Sequence, residues 1–153
     1  MERGGPVVMA RLVLIALALI VAAPLAAAAE RQVVLVVNAE GPITQLDPIE
    51  IRKVFLGLPV LRGNRALHPI RNSSDEQLVQ VFLQYVVAMS QSAYDRRILS
   101  LVLQQGRPRP LELESREQVQ AALAADRYAV SFLWLHDALA TPGLRILRVL
   151  WKG

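Results

Sequence analysis

Residues 33–82 read VVLVVNAEGPITQLDPIEIRKVFLGLPVLRGNRALHPIRNSSDEQLVQVF, and this stretch decides the fold class. It begins within a near-continuous run of β-branched and aliphatic residues at 32–37, which is typical of a strand covered on both faces. The sequence DPIE at residues 47–50 then predicts the start of a helix, with Asp as N-cap, Pro at the first helical position and Glu closing a capping box. Gly57 is placed to end that helix.

A second short strand is predicted at residues 66–70. The polar sequence Asn72-Ser73-Ser74-Asp75 leads from it into a helix whose apolar residues recur at helical spacing. In α/β proteins, small anions bind where the carboxyl end of a strand leads into a helix N-terminus, because free backbone N–H groups and the helix dipole point at the ligand. The sequence therefore predicts a candidate anion site at this entry.

The rest of the chain adds helices and strands joined by short connections. These are a helix starting at Ser92, an extended Gly- and Pro-rich connection at 106–110, a helix capped by Ser115, and strands at 128–134 and 144–151. The resulting order β-α-β-α-α-α-β-β indicates an α/β domain and not a helical bundle or a β-sandwich. We expect a mixed sheet of about four strands flanked by about four helices.

The first 29 residues predict a cleavable secretory signal peptide. Residues 12–23 form an unbroken apolar run, Pro24 ends it, and AAA at residues 27–29 matches an A-x-A cleavage pattern. We therefore expect a signal peptide at 1–29, an α/β domain at 30–153, a periplasmic location and no membrane insertion after cleavage.

Two alternatives for the N-terminus stay open. Translation from Met9 would give a tidier signal peptide, and an uncleaved anchor remains an option because the apolar stretch approaches the lower length limit of a membrane span. The chain contains no cysteine, so it does not carry the lipidated Cys of a bacterial lipoprotein.

The charge of the chain excludes one class of partner. Without the two Arg and one Glu of the predicted signal peptide, 17 basic and 13 acidic residues become 15 and 12, a net charge of +3. The arginines are scattered along the sequence and do not interleave with aromatic residues. We expect no nucleic-acid binding.

Two segments, VLVVN at residues 34–38 and IRKVFLG at residues 51–57, resemble the strand and helix signature of type 2 periplasmic binding protein domains. The similarity is strongest to the phosphate-binding subunits of ABC importers and to their short, single-domain periplasmic relatives. Weaker matches follow in the family's order, so that the resemblance covers nearly all of residues 33–150. It implies a single-lobe α/β fold, no enzymatic activity, no cofactor, and a small oxyanion such as phosphate as the ligand.

The resemblance also implies a ligand site at the helix entry, where relatives present an Arg and a Ser-Gly-Thr sequence to the oxyanion. Arg71 is expected to supply charge-assisted hydrogen bonds, Ser73 and Ser74 their hydroxyl groups, and Asp75 a backbone N–H group. The family's Gly and Thr positions hold Asp75 and Glu76 in this chain, and a carboxylate there competes with an anion for the same helix N-terminus.

Asn38, at the end of the first strand, is a further candidate site residue. An amide at the carboxyl end of a strand either orients a ligand or caps the following loop, and its position alone favours neither role.

The size of the mature domain leads to a second functional hypothesis. The 153 residues less the 29 of the signal peptide leave 124, about one lobe of an importer subunit, which implies weak binding, homodimerisation or binding by a partner protein. The alternative function is a periplasmic interaction or sensory-accessory module, which binds a membrane transporter or sensor component and no free ligand.

A hydrolytic site and a metal site are disfavoured by the motifs. Ser73 or Ser74 with His68 and Asp75 would supply a triad, but there is no G-x-S-x-G elbow, and Ser before a helix is first a cap. His68 and His136 lack the spacing of metal ligands. We predict no catalytic residue and no metal ligand.

Overall fold

The computed structural model describes residues 31–153, and the predicted signal peptide lies outside these residues. Gln32–Gly153 forms one compact unit. A π-helical segment, Phe82–Val87, continues directly from α2. The elements in chain order are β1 Gln32–Asn38, α1 Pro48–Phe55, β2 Leu61–Arg62, β3 Arg65–Ala66, β4 His68–Asn72, α2 Glu76–Val81, α3 Gln91–Gln105, β5 Leu111–Leu113, α4 Arg116–Ala125, β6 Ala129–Trp134, α5 Leu135–Ala140 and β7 Leu144–Lys152.

Five of the strands form a mixed sheet in the order β5-β4-β6-β1-β7, and β2 pairs with β3 in a separate hairpin. β4 runs parallel to both β5 and β6, whereas β1 runs antiparallel to both of its neighbours. The carboxyl ends of β4, β5 and β6 therefore lie at one edge of the sheet, and the carboxyl end of β1 lies at the opposite edge. The α/β class and the mixed sheet predicted from the sequence are confirmed.

β1 is buried on both faces, as its composition predicts. Every side chain from residue 33 to 37 is 0% exposed. Val33, Leu35 and Val37 face the larger hydrophobic cluster, whereas Val34 and Val36 face a second cluster under α4 and α5. β1, an interior strand of the sheet, therefore contributes side chains to both halves of the core.

The helix starts follow the sequence signals closely. The Asp47 carboxylate accepts a hydrogen bond from the Glu50 backbone N–H at 2.8 Å, and the Glu50 carboxylate accepts one from the Asp47 N–H at 3.1 Å. This reciprocal pair is a capping box. Arg62 donates two hydrogen bonds to the same Glu50 carboxylate, at 3.0 Å each. These bonds are the largest cause of the lowered pKa of Glu50.

Four expectations about element boundaries need correction. The region predicted as one strand at 66–70 contains the last residue of β3 and the first three residues of β4. α3 begins at Gln91, one residue earlier than expected, because Ser90, and not Ser92, accepts the Ala93 N–H. β5 and α5 are additional elements, each too short to show a clear hydrophobic period. None of the helices between residues 31 and 153 is long and apolar enough to cross a membrane.

Ala88 has an unfavourable backbone conformation at the end of the π-helical segment. Its φ is 53° and its ψ is 52°, in the left-handed region, and its side chain is exposed. Ala88→Gly removes the steric penalty of Cβ there, so we expect the free energy of unfolding to rise by roughly 0.5–1 kcal/mol. Urea unfolding at constant m-value measures this change.

Ala121→Gly is the matched control for that substitution. Ala121 is also exposed but lies inside α4, where glycine is expected to lower stability by roughly 0.5–1 kcal/mol. Equal losses in both variants would show that the conformation at Ala88 carries no strain.

Candidate functional site

The carboxyl ends of β4 and β6 and the start of α2 meet at one edge of the sheet, and four of the predicted site residues lie there. Arg71 is the penultimate residue of β4, Ser73 and Ser74 follow the strand, and Asp75 is the N-cap of α2. The structure therefore brings these four residues into one short segment at a strand-to-helix junction.

Strand alternation places Arg71 on the aromatic side of the sheet. Ile70, its neighbour, packs into the cluster that contains Val34 and Val36. The guanidinium carbon of Arg71 lies on the other face, 5.3 Å from the ring centroid of Phe82 and 5.0 Å from that of Tyr94. Such cation–π contacts stabilise a charged group that is removed from water.

The polar contacts of Arg71 leave one donor unused. Its Nη2 donates to Oε1 of Gln91 at 2.7 Å, and its Nη1 lies 3.7 Å from Oε2 of Glu112, which is too long for a hydrogen bond. The residue is only 5% exposed, and its Nε finds no hydrogen-bond partner among residues 31–153. Arg71 is therefore a buried cation whose donors are incompletely satisfied.

Tyr94 packs against Arg71 on the side that faces the core. Its hydroxyl donates to the Phe55 carbonyl at 2.8 Å, and burial raises the pKa of Tyr94 to about 12. The phenol thus stays neutral and is already paired, so Arg71 has no anionic partner on the core side.

Asn72 fixes the backbone of the loop that enters α2. Its side chain is 0% exposed, and Nδ2 donates to the Phe132 carbonyl at 2.9 Å. Oδ1 accepts hydrogen bonds from the Ser74 backbone N–H at 3.0 Å and from the Ser74 hydroxyl at 2.7 Å. The sequence prediction missed this role, although an Asn at the end of a strand is a known signal for such a turn. The Ser73 hydroxyl donates more weakly to the Leu113 carbonyl, at 3.3 Å.

Asp75 occupies the helix N-terminus to which the resemblance assigns the ligand. Its Oδ1 accepts hydrogen bonds from the backbone N–H groups of Gln77 at 2.7 Å and Leu78 at 3.3 Å. Its Oδ2 accepts one from the indole N–H of Trp134 at 3.3 Å. The carboxylate of the chain itself thus fills the position that an oxyanion would take at α2.

Asn38 does not join the other predicted site residues, because β1 runs antiparallel to β6. At the opposite edge of the sheet, its Nδ2 donates to the carbonyls of Leu123 at 3.1 Å and Ala124 at 3.0 Å. Its Oδ1 accepts the Glu40 backbone N–H at 2.9 Å. These contacts are those of a loop and helix cap, one of the two roles that its position left open, and they lie apart from Arg71 and the other candidate residues.

The histidines are also separated from this junction. His68 begins β4 and its Nδ1 lies 2.6 Å from Oδ2 of Asp126, whereas Ser73 follows the end of the same strand. His136 lies in α5, beside Asp137. Within residues 31–153, no three His, Cys, Asp or Glu side chains are grouped so that they could hold a metal ion.

Comparison with known proteins shows the fold but no sequence family. No family model matches the sequence, and no curated protein matches it. An ABC-type phosphate transport receptor from Vibrio cholerae is similar in structure, with a TM-score of 0.50 and 12% identity over 78% of this chain and 46% of the receptor. PstS from Borrelia burgdorferi gives a TM-score of 0.57 and 13% identity over 77% of this chain and 47% of PstS.

These likenesses confirm the fold implied by the resemblance. The chain has an α/β fold similar to that of a single lobe of a periplasmic binding protein. It spans about half the length of the solved structures that it matches. At 12–13% identity, the similarity describes architecture and does not transfer a ligand.

Proposed function

We propose that this chain, built as one lobe of a type 2 periplasmic binding protein, is a non-enzymatic periplasmic domain that binds a small oxyanion such as phosphate at Arg71. The observation that carries the proposal is the buried guanidinium of Arg71, whose Nε has no partner among residues 31–153. It lies at the sheet edge where α2 and α3 begin.

The energetics of a buried cation support an anionic ligand. Removing a charged group from water costs several kcal/mol unless a counter-charge and hydrogen bonds compensate. Arg71 has one neutral amide, two aromatic rings and a carboxylate beyond hydrogen-bond distance. An oxyanion would replace Glu112 as the counter-charge and accept from Nε and an Nη together, in the bidentate geometry that guanidinium groups favour.

Two exposed side chains cover the guanidinium from the solvent side. Gln91 is the first residue of α3, and Glu112 lies across from Arg71 in the β4–β5 register. Rotation of either side chain would open a path to Arg71, and the first N–H groups of the 15-residue α3 would then add to the attraction of an anion. Glu112 would have to move away, because its carboxylate repels the ligand.

Ser73, Ser74 and Asp75 have secondary roles in this proposal. The two hydroxyl groups lie at the entry to α2, and the Asp75 carboxylate fixes that entry while repelling anions. Asn38 has no part in the site. Because a single lobe covers only one side of a ligand, we propose weak binding, which a second copy of the chain or a membrane transporter component would strengthen.

The second candidate function is an interaction or sensory-accessory module that binds a membrane protein and no free ligand. The contacts of Asp75 favour it, since this carboxylate already satisfies the N-terminus of α2 from within the chain. Under this second function, the chain keeps the fold of a binding protein but no longer binds an anion.

Thermal melts distinguish the two functions. The protein, expressed from its full sequence, is heated with millimolar phosphate, sulfate or chloride at matched ionic strength. A ligand at about a hundred times its dissociation constant adds about 2.7 kcal/mol, which raises Tm by roughly 5 °C or more. We expect such a shift with one oxyanion and not with chloride.

Arg71→Met is the informative variant for this experiment. It removes the charge but keeps an unbranched side chain against the rings of Phe82 and Tyr94, and it is expected to abolish the shift. Arg62→Gln, at a distant ion pair with Glu50, is expected to keep the shift. No shift in the wild-type protein, or a shift that persists in Arg71→Met, would refute the anion site and favour the interaction module.

A further inference from the structure

A second depression lies at the other end of β4, where His68 and Pro69 begin the strand. It is a groove of about 380 Å³ between the end of α1, the start of β4 and residues 106–110, and we call it the α1–β4 groove. Val54, Leu58, Leu67 and Leu111 form much of its apolar lining. Its volume is within the range of about 300–1,000 Å³ that is typical of small-molecule sites.

The register of β5 leaves this groove open. β5 begins at Leu111, which pairs with Ile70, so the first two residues of β4 have no partner strand on that side. The chain approaches β5 through Arg107-Pro108-Arg109-Pro110. Alternating prolines remove backbone N–H donors and prevent this segment from continuing as a helix or pairing as a central strand, so it remains an extended wall.

That wall brings two positive charges to an apolar groove. Arg107 donates from Nε to Oε1 of Gln105 at 3.0 Å and from Nη1 to the Gly57 carbonyl at 3.5 Å, so both of its acceptors are neutral. Arg109 is exposed and makes no hydrogen bond or ion pair with any residue in the part of the chain that the structure describes. The Asp126 carboxylate lies 2.6 Å from Nδ1 of His68 and is thus paired with the His68 ring.

We propose that the α1–β4 groove binds a small amphipathic carboxylate, with its aliphatic or aromatic body on the apolar lining and its carboxylate on Arg107 and Arg109. Two guanidinium groups without carboxylate partners complement one acidic group, and the apolar lining favours a ligand with an apolar body over a fully polar ion such as phosphate. Arg71 does not line this groove, which lies at the start of β4, so the groove is a site distinct from the proposed oxyanion site.

Calorimetric titration with decanoate, decanol and decyltrimethylammonium tests this inference. The three probes share an apolar chain and differ in charge, and the protein is expressed from its full sequence and kept below the micellar range of each probe. We expect saturable binding of decanoate with one site per chain and at least about tenfold weaker binding of the other two, because hydrogen bonds to charged groups contribute that much.

Two variants locate the site. Arg107→Gln combined with Arg109→Gln is expected to weaken decanoate binding at least about tenfold while leaving decanol binding unchanged. Ala66→Trp fills the groove from an exposed position on β3 and is expected to abolish decanoate binding. Arg148→Gln, on β7, is the charge-matched control and is expected to have no effect.

Three results would overturn the proposal. They are the absence of saturable decanoate binding, equal binding of decanoate and decanol, and binding that survives Ala66→Trp in a protein whose melting curve is unchanged. The Arg71→Met variant is expected to bind decanoate normally, so a failure of the oxyanion proposal does not affect this one.

Discussion

Phe82→Ala is expected to lower the free energy of unfolding by about 3–5 kcal/mol, because it removes the ring on which the aromatic core is centred. Phe82 is 0% exposed, and its ring stacks on Phe132 with centroids 5.2 Å apart and planes inclined by 9°. The rings of Phe55 and Tyr94 contact it edge-on at 5.5 Å and 5.3 Å. The substitution leaves a cavity that the surrounding side chains cannot easily fill, because they belong to three different secondary-structure elements. Guanidinium unfolding followed by tryptophan fluorescence measures the loss.

Tyr85→Ala provides the control within the same π-helical segment. Tyr85 is 54% exposed, so its truncation is expected to change stability by less than about 1 kcal/mol. If Phe82→Ala does not fold at all, Phe82→Leu is the milder substitute and is expected to lie between the two. Similar small losses at both positions would contradict the aromatic cluster as the centre of the core.

Asn72→Asp is expected to be strongly destabilising at neutral pH although it barely changes the size of the side chain. The amide Nδ2 of Asn72 donates to the Phe132 carbonyl in a fully buried position, and a carboxylate cannot make that bond. Replacing the donor by a buried negative charge facing a carbonyl oxygen costs at least about 3 kcal/mol. Asn72→Ala, which removes the amide without adding a charge, is expected to cost about 1–3 kcal/mol.

The loss in Asn72→Asp is expected to depend on pH. Burial raises the pKa of a carboxyl at position 72 above its unfolded value of about 3.9, so the variant is most stable, relative to wild type, below about pH 4. Its relative stability then falls as the pH rises through the folded-state pKa. Urea unfolding at pH 4 and pH 7 tests the sign, and a pH-independent loss equal to that of Asn72→Ala would refute the account.

The sequence predicts the elements whose signals are local. Asp47 and Ser115 begin helices where their patterns indicate, because a capping side chain and its backbone partner are only three residues apart. Residues 33–37 are buried on both faces, as their composition requires. β5 is not predicted because a strand of three residues, one of them Glu112, is too short to show a hydrophobic period. It forms by pairing with β4, which is distant in sequence.

The candidate site is predicted in position but not in detail. The strand-to-helix entry with Arg71 and Asp75 follows from order along the chain, and the structure brings these residues together. Three features depend on contacts across the sheet and leave no local signal: the aromatic rings around Arg71, the bond from Trp134 to Asp75, and the antiparallel course of β1 that separates Asn38 from the rest.

That antiparallel first strand also bears on how fast the protein folds. Val33 pairs with Trp134 on one side and with Trp151 on the other. β1 therefore lies between β6 and β7, which are distant from it in sequence. Contacts between such distant parts of a chain have a high entropy cost of closure and slow the folding reaction. β1 therefore pairs with neither of its neighbours in the sheet until residues 129–134 have been synthesised.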